Sequence, residues 1–330
     1  MPAISDPPPA DIEAELAALR TSLDAELPPK TIEQNLLIAT WNIRSFGDLT
    51  EKWASSTSDA PRRDLHALRC IAEIISRFDV IAIQEVKENL KALRHLFKLE
   101  TFRNNWSFLL TDVTKGDPGN GERLAFLYDR RKINLSGLAC ELVVPREQLE
   151  ARDITADALQ QQFARTPYAV SFRAFDKTFI LVTLHVIYGK DATERVPELK
   201  AIAEWLADWA TQINDWDFNL IALGDFNIDR QNDKLYQAFT STGLTVPDDL
   251  QHIPRTIFTE PGETNLNKFY DQIAWFTGAN NVPKLSLKYV RGGNFDFLKT
   301  ALSSLNLTKT QVSFRISDHY PLWTEFSLNS

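Results

Sequence analysis

Asp225 and Asn227 close the run Leu220-Ile-Ala-Leu-Gly-Asp-Phe-Asn227. Apolar residues running into a glycine read as a buried strand. Two apart in extended chain, an acid and an amide share one face. Oxygen donors of this kind at a strand tip suit a hard divalent cation. Gly, Asp and Asn also spell a turn, and taken alone the turn is the better reading. The weight comes from repetition. Asn42 follows the apolar run Leu36–Trp41, Glu85 follows Asp79–Gln84, and His185 follows Phe179–Leu184. Asp318 and His319 adjoin Leu322–Phe326, while Glu122 and Asp271 sit just before apolar runs. Carboxylates crowded onto one rim repel each other and raise each other's pKa, and a cation resolves that conflict.

Simpler readings exist for each residue. Asn42 could cap a turn, Glu85 could be a first-turn acid of the next helix, and Gly121-Glu122-Arg123 could be a solvated turn. An isolated His185 is more often a core histidine. Asp318-His319 before Tyr320-Pro321 has no easy structural explanation. His66, His95 and His252 match no pattern and read as surface or packing residues.

Strands are expected at Leu36–Trp41, Asp79–Gln84, Trp106–Leu110, Arg123–Tyr128 and Ile133–Val144. A hairpin is expected from Tyr168 to His185 around Asp176-Lys177, with further strands at 220–225, 268–276 and 322–326. Helical spacing marks 10–26 (Ile12, Leu16, Leu19, Leu23), Arg63–Arg77, Asn89–Leu99 and Arg195–Ile213. Short helices are expected at Leu235–Phe239 and Phe295–Leu305. Glu147–Gln162 reads as a polar helical excursion. Many strands broken by a few helices, without strict βαβ alternation, favour two packed sheets with helices outside. Three segments follow: a disordered Pro-rich tail (1–9), an amphipathic helix region (10–30) that could dock a protein partner, and a single domain (31–330).

The chain has 330 residues, 44% hydrophobic and 24% charged, which is ordinary for a globular protein with a sizeable core. A net charge of −8 excludes a broad basic face for gripping nucleic acid. It leaves room for an enzyme that holds a phosphodiester locally and offsets charge with metal. Cys70 and Cys140 read as free thiols of a reducing compartment. The N-terminus lacks a secretory pattern and no apolar run is long enough to span a bilayer, so a cytoplasmic location is expected.

The segments Trp-Asn42-Ile, Gln-Glu85-Val, Leu-His185-Val, Gly-Asp225-Phe-Asn227, Tyr-Asp271 and Ser-Asp318-His319-Tyr-Pro resemble, in order, the motif series of the endonuclease/exonuclease/phosphatase superfamily. The resemblance runs from about residue 35 to the C-terminus and is nearest to the deoxyribonuclease I-like branch. Glu122 resembles the acid that orients the first histidine. Arg165, in Phe-Ala-Arg-Thr-Pro, resembles that branch's phosphate-binding arginine, and Gln272 departs from its usual basic residue. The resemblance implies a four-layer α/β sandwich, two mixed sheets flanked by helices. It also implies metal-dependent hydrolysis of phosphate esters, with Mg²⁺ as the expected cofactor (Mn²⁺ or Ca²⁺ as substitutes).

In-line attack of water on phosphorus needs charge offset, a base and an acid. Asn42 and Glu85 are the first candidates for the cation, with Asp225, Asn227 and Asp318 for a second ion or the water. His185 and His319 are acid and base candidates, each needing a carboxylate to fix its tautomer. His185 is paired with Glu122 and His319 with Asp271, and His319 is read as the base. Arg165 and Arg44 are candidates for substrate phosphate. The expected activity is a nucleic-acid phosphodiesterase, a DNA endonuclease. The alternatives are a phosphatase or phospholipase of the same superfamily, acting on inositol phosphate or sphingomyelin, and a catalytically silent binding member. Asn-Lys-Phe-Tyr-Asp-Gln at 267–272 counts against the phosphoinositide branch, and intact motif positions count against the silent one.

Overall fold

Strand β1 (Asn35–Phe46) is buried along nearly its whole length, so both of its faces must be covered. Its side chains alternate between two cores. Leu36 and Ile38 point between the sheets, and Leu37, Ala39, Trp41 and Ile43 point outward under helices. A computed structural model describes residues 2–114, 120–142, 165–189, 192–212, 219–259, 268–278 and 284–329. β2 (Val80–Lys87) runs parallel to β1, and β12 (Leu322–Ser327) runs antiparallel on its other side. β3 (Trp106–Leu110), β4 (Glu122–Asp129) and β11 (Lys288–Asn294) complete a six-stranded sheet in the order β11-β12-β1-β2-β4-β3.

The second sheet has the order β5-β6-β7-β8-β10-β9. Its strands are β5 (Ile133–Glu141), β6 (Tyr168–Ala174), β7 (Lys177–His185), β8 (Leu220–Asp225), β9 (Leu244–Thr245) and β10 (Asp271–Phe276). It too contains one parallel pair, β7 with β8, among antiparallel neighbours. Two mixed six-stranded sheets with helices outside make the expected α/β sandwich.

Helix α1 (Ala10–Glu26) buries Ile12, Leu16, Leu19 and Leu23 in the outer core, alongside α2 (Leu65–Ile75). Each fully buried aliphatic side chain contributes about 2 kcal/mol. Residues 2–9, read as disordered, do not hang free in the structure. Ile4 is fully buried, and Arg69 donates to the carbonyls of Ile4 and Asp6. The helix expected over Asn89–Leu99 is the shorter α3 (Lys91–Leu96), and an unexpected short helix, α4 (Glu100–Asn105), follows it. The expected helix at Phe295–Leu305 is a pair of 3₁₀ turns, Phe297–Lys299 and Ser303–Leu305, with Leu302 and Asn306 in left-handed conformations. Edge strands β9 and β11 went unread because short or half-exposed segments lack a clean alternation. The remaining helices among the described residues are α5 (Ala192–Gln212), α6 (Lys234–Thr240), α7 (Asp248–Gln251) and α8 (Lys309–Ser313). The polar stretch 147–162 lies outside the described residues. Among those described, no helix is long and apolar enough to cross a membrane.

The topology explains why polar residues gather. Parallel partners β1 and β2 end on the same side, as do β7 and β8. Their antiparallel neighbours β4, β10 and β12 begin there. Ends of one set and beginnings of the other therefore share one rim. Beneath it, Gln84 of the first sheet donates to Thr183 Oγ1 of the second at 2.9 Å and to Thr40 Oγ1 at 3.1 Å. This is a buried polar link across the sandwich.

Candidate active site

Asp225 ends β8 and is 2% exposed. The residue before it, Gly224, has φ +140°, and a Cβ there would lie 2.1 Å from the Leu184 carbonyl. Only glycine permits β7 and β8 to approach this closely. Asp225 Oδ1 accepts from Asn227 N at 2.9 Å, and Asn227 is left-handed at φ +49°. The turn reading and the site reading therefore describe one object. The turn directs Asn227 Nδ2 to the Val186 carbonyl at 2.6 Å. Asp225 Oδ2 accepts from Asn42 Nδ2 at 2.9 Å and lies 3.7 Å from His185 Nε2.

His185 Nδ1 stands 3.2 Å from Glu122 Oε2. Glu122 is 1% exposed and carries three further partners. Lys87 Nζ and Asn120 Nδ2 each donate to Oε1 at 2.7 Å, and Arg165 Nε lies 2.5 Å from Oε2. Burial pushes the Glu122 carboxyl up, but His185, Arg165 and Lys87 outweigh it and hold the group at about 2. Arg165, read as a phosphate ligand, is itself buried against Glu122. Its place in the structure is beside the acid that faces His185.

His319 Nδ1 stands 2.6 Å from Asp271 Oδ2, and both are buried. Burial opposes charge on the imidazole, but Asp271, Asp225 and Asp318 surround it and raise His319 to about 10. Burial in turn pushes the Asp271 carboxyl up, to about 6, against the pull of His319. Asp225, Asp271 and His319 present ligand atoms within 4.8 Å of one another.

Glu85 stands outside this cluster. It occupies a bulge in β2 with φ +60°, and its Oε2 accepts from Ser45 N at 2.7 Å. Asp318 is partly exposed, with Arg44 Nη1 at 3.5 Å. Arg44 Nη1 also donates to Ser313 Oγ at 2.9 Å, and its guanidinium covers the Phe314 ring at 4.1 Å.

The residues present fit a cation. Asn42 Oδ1 and Asp271 Oδ1 are buried acceptors without a donor, and such groups call for a cation or water. They adjoin Asp225, whose negative charge lies within the same cluster.

Several residues escaped the sequence reading. Arg255 is fully buried beneath the Asp271–His319 pair. Its Nε donates to the Asp271 carbonyl at 3.0 Å, and Nη1 donates to the Ile253 carbonyl at 2.6 Å. Its carbonyl accepts from Tyr320 N at 2.8 Å. Burial lowers the guanidinium to about 9, which leaves it charged at neutral pH. A basic group thus lies beside Asp271 although Gln272 replaces the one expected in sequence. Arg63, also buried, donates to the carbonyls of Arg44, Ser45, Arg315 and Ile316, tying the segment after Asn42 to the one before Asp318. Ser317 Oγ donates to the Asn42 carbonyl at 2.6 Å and accepts from His319 N at 3.1 Å. Nothing in an isolated Arg or Ser announces such a role; only the fold brings them in.

Residues 39–319 match the endonuclease/exonuclease/phosphatase family. A deoxyribonuclease of Thioalkalivibrio sp. (strain K90mix) is 28% identical over 214 residues, 63% of this chain and 50% of that protein. The chain thus spans about half the length of this curated relative. An endonuclease/exonuclease/phosphatase family protein from Bacteroides thetaiotaomicron superposes with TM-score 0.56 at 17% identity, covering 90% of this chain and 99% of that one. D. rerio TDP2, solved with a single-strand DNA product, gives 0.52 at 14% identity over 88% and 98%. At these identities the structures speak for the fold, and the match over residues 39–319 speaks for the family: the chain belongs to the endonuclease/exonuclease/phosphatase family.

Proposed function

We propose that the protein is a divalent-metal-dependent phosphodiesterase that hydrolyses nucleic acid, with DNA as the expected substrate and endonucleolytic cleavage as the mode. The single observation that supports this best is the pair of imidazoles, each against its own carboxylate, on either side of Asp225. Water attack on a phosphodiester needs a proton acceptor on one side of phosphorus and a donor on the other. In this reading His319 takes the proton of the attacking water, with Asp271 fixing its ring. His185, oriented by Glu122, donates toward the leaving oxygen or the developing charge. Asn42, Asp225 and Asp318, with Glu85 at the edge, would hold the cation. A bound divalent cation would neutralise the carboxylates that keep His319 protonated and offset charge on the non-bridging oxygens. Arg44, half-exposed beside Asp318, is the available contact for substrate phosphate.

Purified protein incubated with supercoiled plasmid and Mg²⁺ should give nicked and linear forms, and EDTA should abolish the conversion. Phosphomonoesters, inositol phosphates and sphingomyelin run in parallel should remain intact. Turnover of those substrates with plasmid untouched would overturn the reading.

A further inference from the structure

Four of the eight tryptophans, Trp41, Trp106, Trp275 and Trp323, are buried. Five other aromatic side chains are exposed among the described residues: Phe108, Phe175, Tyr188, Phe258 and Phe314. Phe108 lies on edge strand β3 and Phe175 in the β6–β7 turn, at the end of β7 away from His185. The other three surround the rim.

Tyr188, 57% exposed, lies three residues past His185. Its ring meets that of Tyr270 edge-on at 6.4 Å, and Tyr270 lies 5.6 Å from the His319 ring. Phe258, 44% exposed, follows a segment pinned to the site, with Thr256 bridged to His319 and Ile257 N donating to the Asp318 carbonyl at 2.9 Å. Phe314, 50% exposed, carries the Arg44 guanidinium on one face, and Arg44 reaches Asp318. Cations back this rim although the whole chain is acidic. Arg195 lies 5.2 Å from the Tyr188 ring and Lys268 lies 5.5 Å from the Tyr270 ring. Asp229 binds both of these cations at 2.6 and 2.7 Å.

Exposed aromatic rings cost free energy in water, and a monomer has no structural need to gather three of them around a polar rim. Rings beside cations suit a partner that offers flat apolar faces joined by anionic links. Unpaired nucleobases on a phosphodiester backbone have that chemistry, since every base has a π-face and stacking tolerates any sequence. Paired bases inside a duplex hide those faces.

We propose that Tyr188, Phe258 and Phe314 form a base-stacking rim that selects unpaired nucleotides flanking the scissile phosphate, so that single-stranded or frayed nucleic acid is the preferred substrate. This rests on the phosphodiesterase reading above. Each stacked base contributes about 1–3 kcal/mol, roughly five- to 150-fold in affinity.

The test uses the full chain with Mg²⁺ and three oligonucleotides of equal length: a single strand, the same strand with abasic tetrahydrofuran units in place of nucleosides, and the duplex. The intact enzyme should show the lowest KM on the base-bearing strand. Phe258→Ala and Phe314→Ala should raise that KM about tenfold with little change in kcat and erase the advantage over the abasic strand. Phe108→Ala and Phe175→Ala should change neither. Tyr188→Ala, the third rim variant, should behave in the same way, and circular dichroism reports folding. Equal KM values on base-bearing and abasic strands, preference for duplex, or variants that keep the ratio would overturn the rim while leaving the phosphodiesterase reading standing. Failure of the intact enzyme to cleave any nucleic acid would overturn both.

Discussion

His185–Glu122 and His319–Asp271 each set an imidazole against a carboxylate, on opposite sides of Asp225, yet their surroundings differ in sign. Glu122 sits among cations, with Lys87 and Arg165 beside it. His319 sits among acids, with Asp271, Asp225 and Asp318 around it. One neighbourhood stabilises an anion and the other retains a proton. A fold that needed only two histidine–acid contacts would have no reason for that asymmetry. A reaction that takes a proton at one side and delivers one at the other has a direct use for it.

The largest effects should come from removing the imidazoles. His319→Ala and His185→Ala should each lower plasmid-cleavage turnover by about 10²- to 10⁴-fold, with both variants still folded by circular dichroism. Near-parental rates in both variants would break the comparison, because neither pair would then serve the chemistry.

Next comes stability, where the two acids should part company. Glu122→Gln leaves the buried Arg165 guanidinium without its counter-charge, and breaking such a pair costs about 3–5 kcal/mol. Asp271→Asn also removes charge beside the buried Arg255, but it should cost less than Glu122→Gln, because its directly bonded partner His319 can release its proton whereas the Arg165 guanidinium cannot. Urea denaturation of both variants in EDTA measures the difference. Equal losses would show that the cations around Glu122 contribute nothing special.

The pairs should also fail at opposite ends of the pH scale in metal-free protein. Glu122 has a depressed folded pKa of about 2, so its contribution is present above its unfolded value and is lost as pH falls through about 2. His319 has a raised folded pKa of about 10, so its contribution is complete below its unfolded value and is lost as pH rises through about 10. Thermal midpoints against pH should show Glu122→Gln flattening only the acid limb and His319→Gln only the alkaline one.

The smallest effect belongs to Arg44. Replacing it with Ala should raise KM for DNA several-fold at unchanged kcat and weaken the salt dependence of binding, as loss of a single phosphate contact does. A fall in kcat with no change in KM would instead place Arg44 in the chemistry.

Much of the rim was readable because strand ends carry a strong signal: an apolar run that stops at an acid, amide or imidazole. Asn42, Asp225 and His185 announce themselves in this way, and the two mixed sheets follow from runs buried on both sides. Other parts depend on distance in space. Arg255 reaches Asp271 from a loop 16 residues upstream, and Arg63 reaches Arg315, 252 residues further along the chain. Arg165 was visible, but its partner was not, since a basic residue in a loop looks alike whether it meets substrate or an internal acid. The left-handed turn at Asn227 was not readable either, since the two-residue alternation assumes extended chain.

The Gln84 link between the sheets carries a consequence for engineering. Thr40, Gln84 and Thr183 act as a dowel through the two layers. The chemistry above depends on groups delivered half by one layer and half by the other. Apolar replacements could fill the same space and even add stability, but they would free one layer to slip against the other by fractions of an ångström. A sturdier protein with a blurred catalytic register is the expected product of such a redesign.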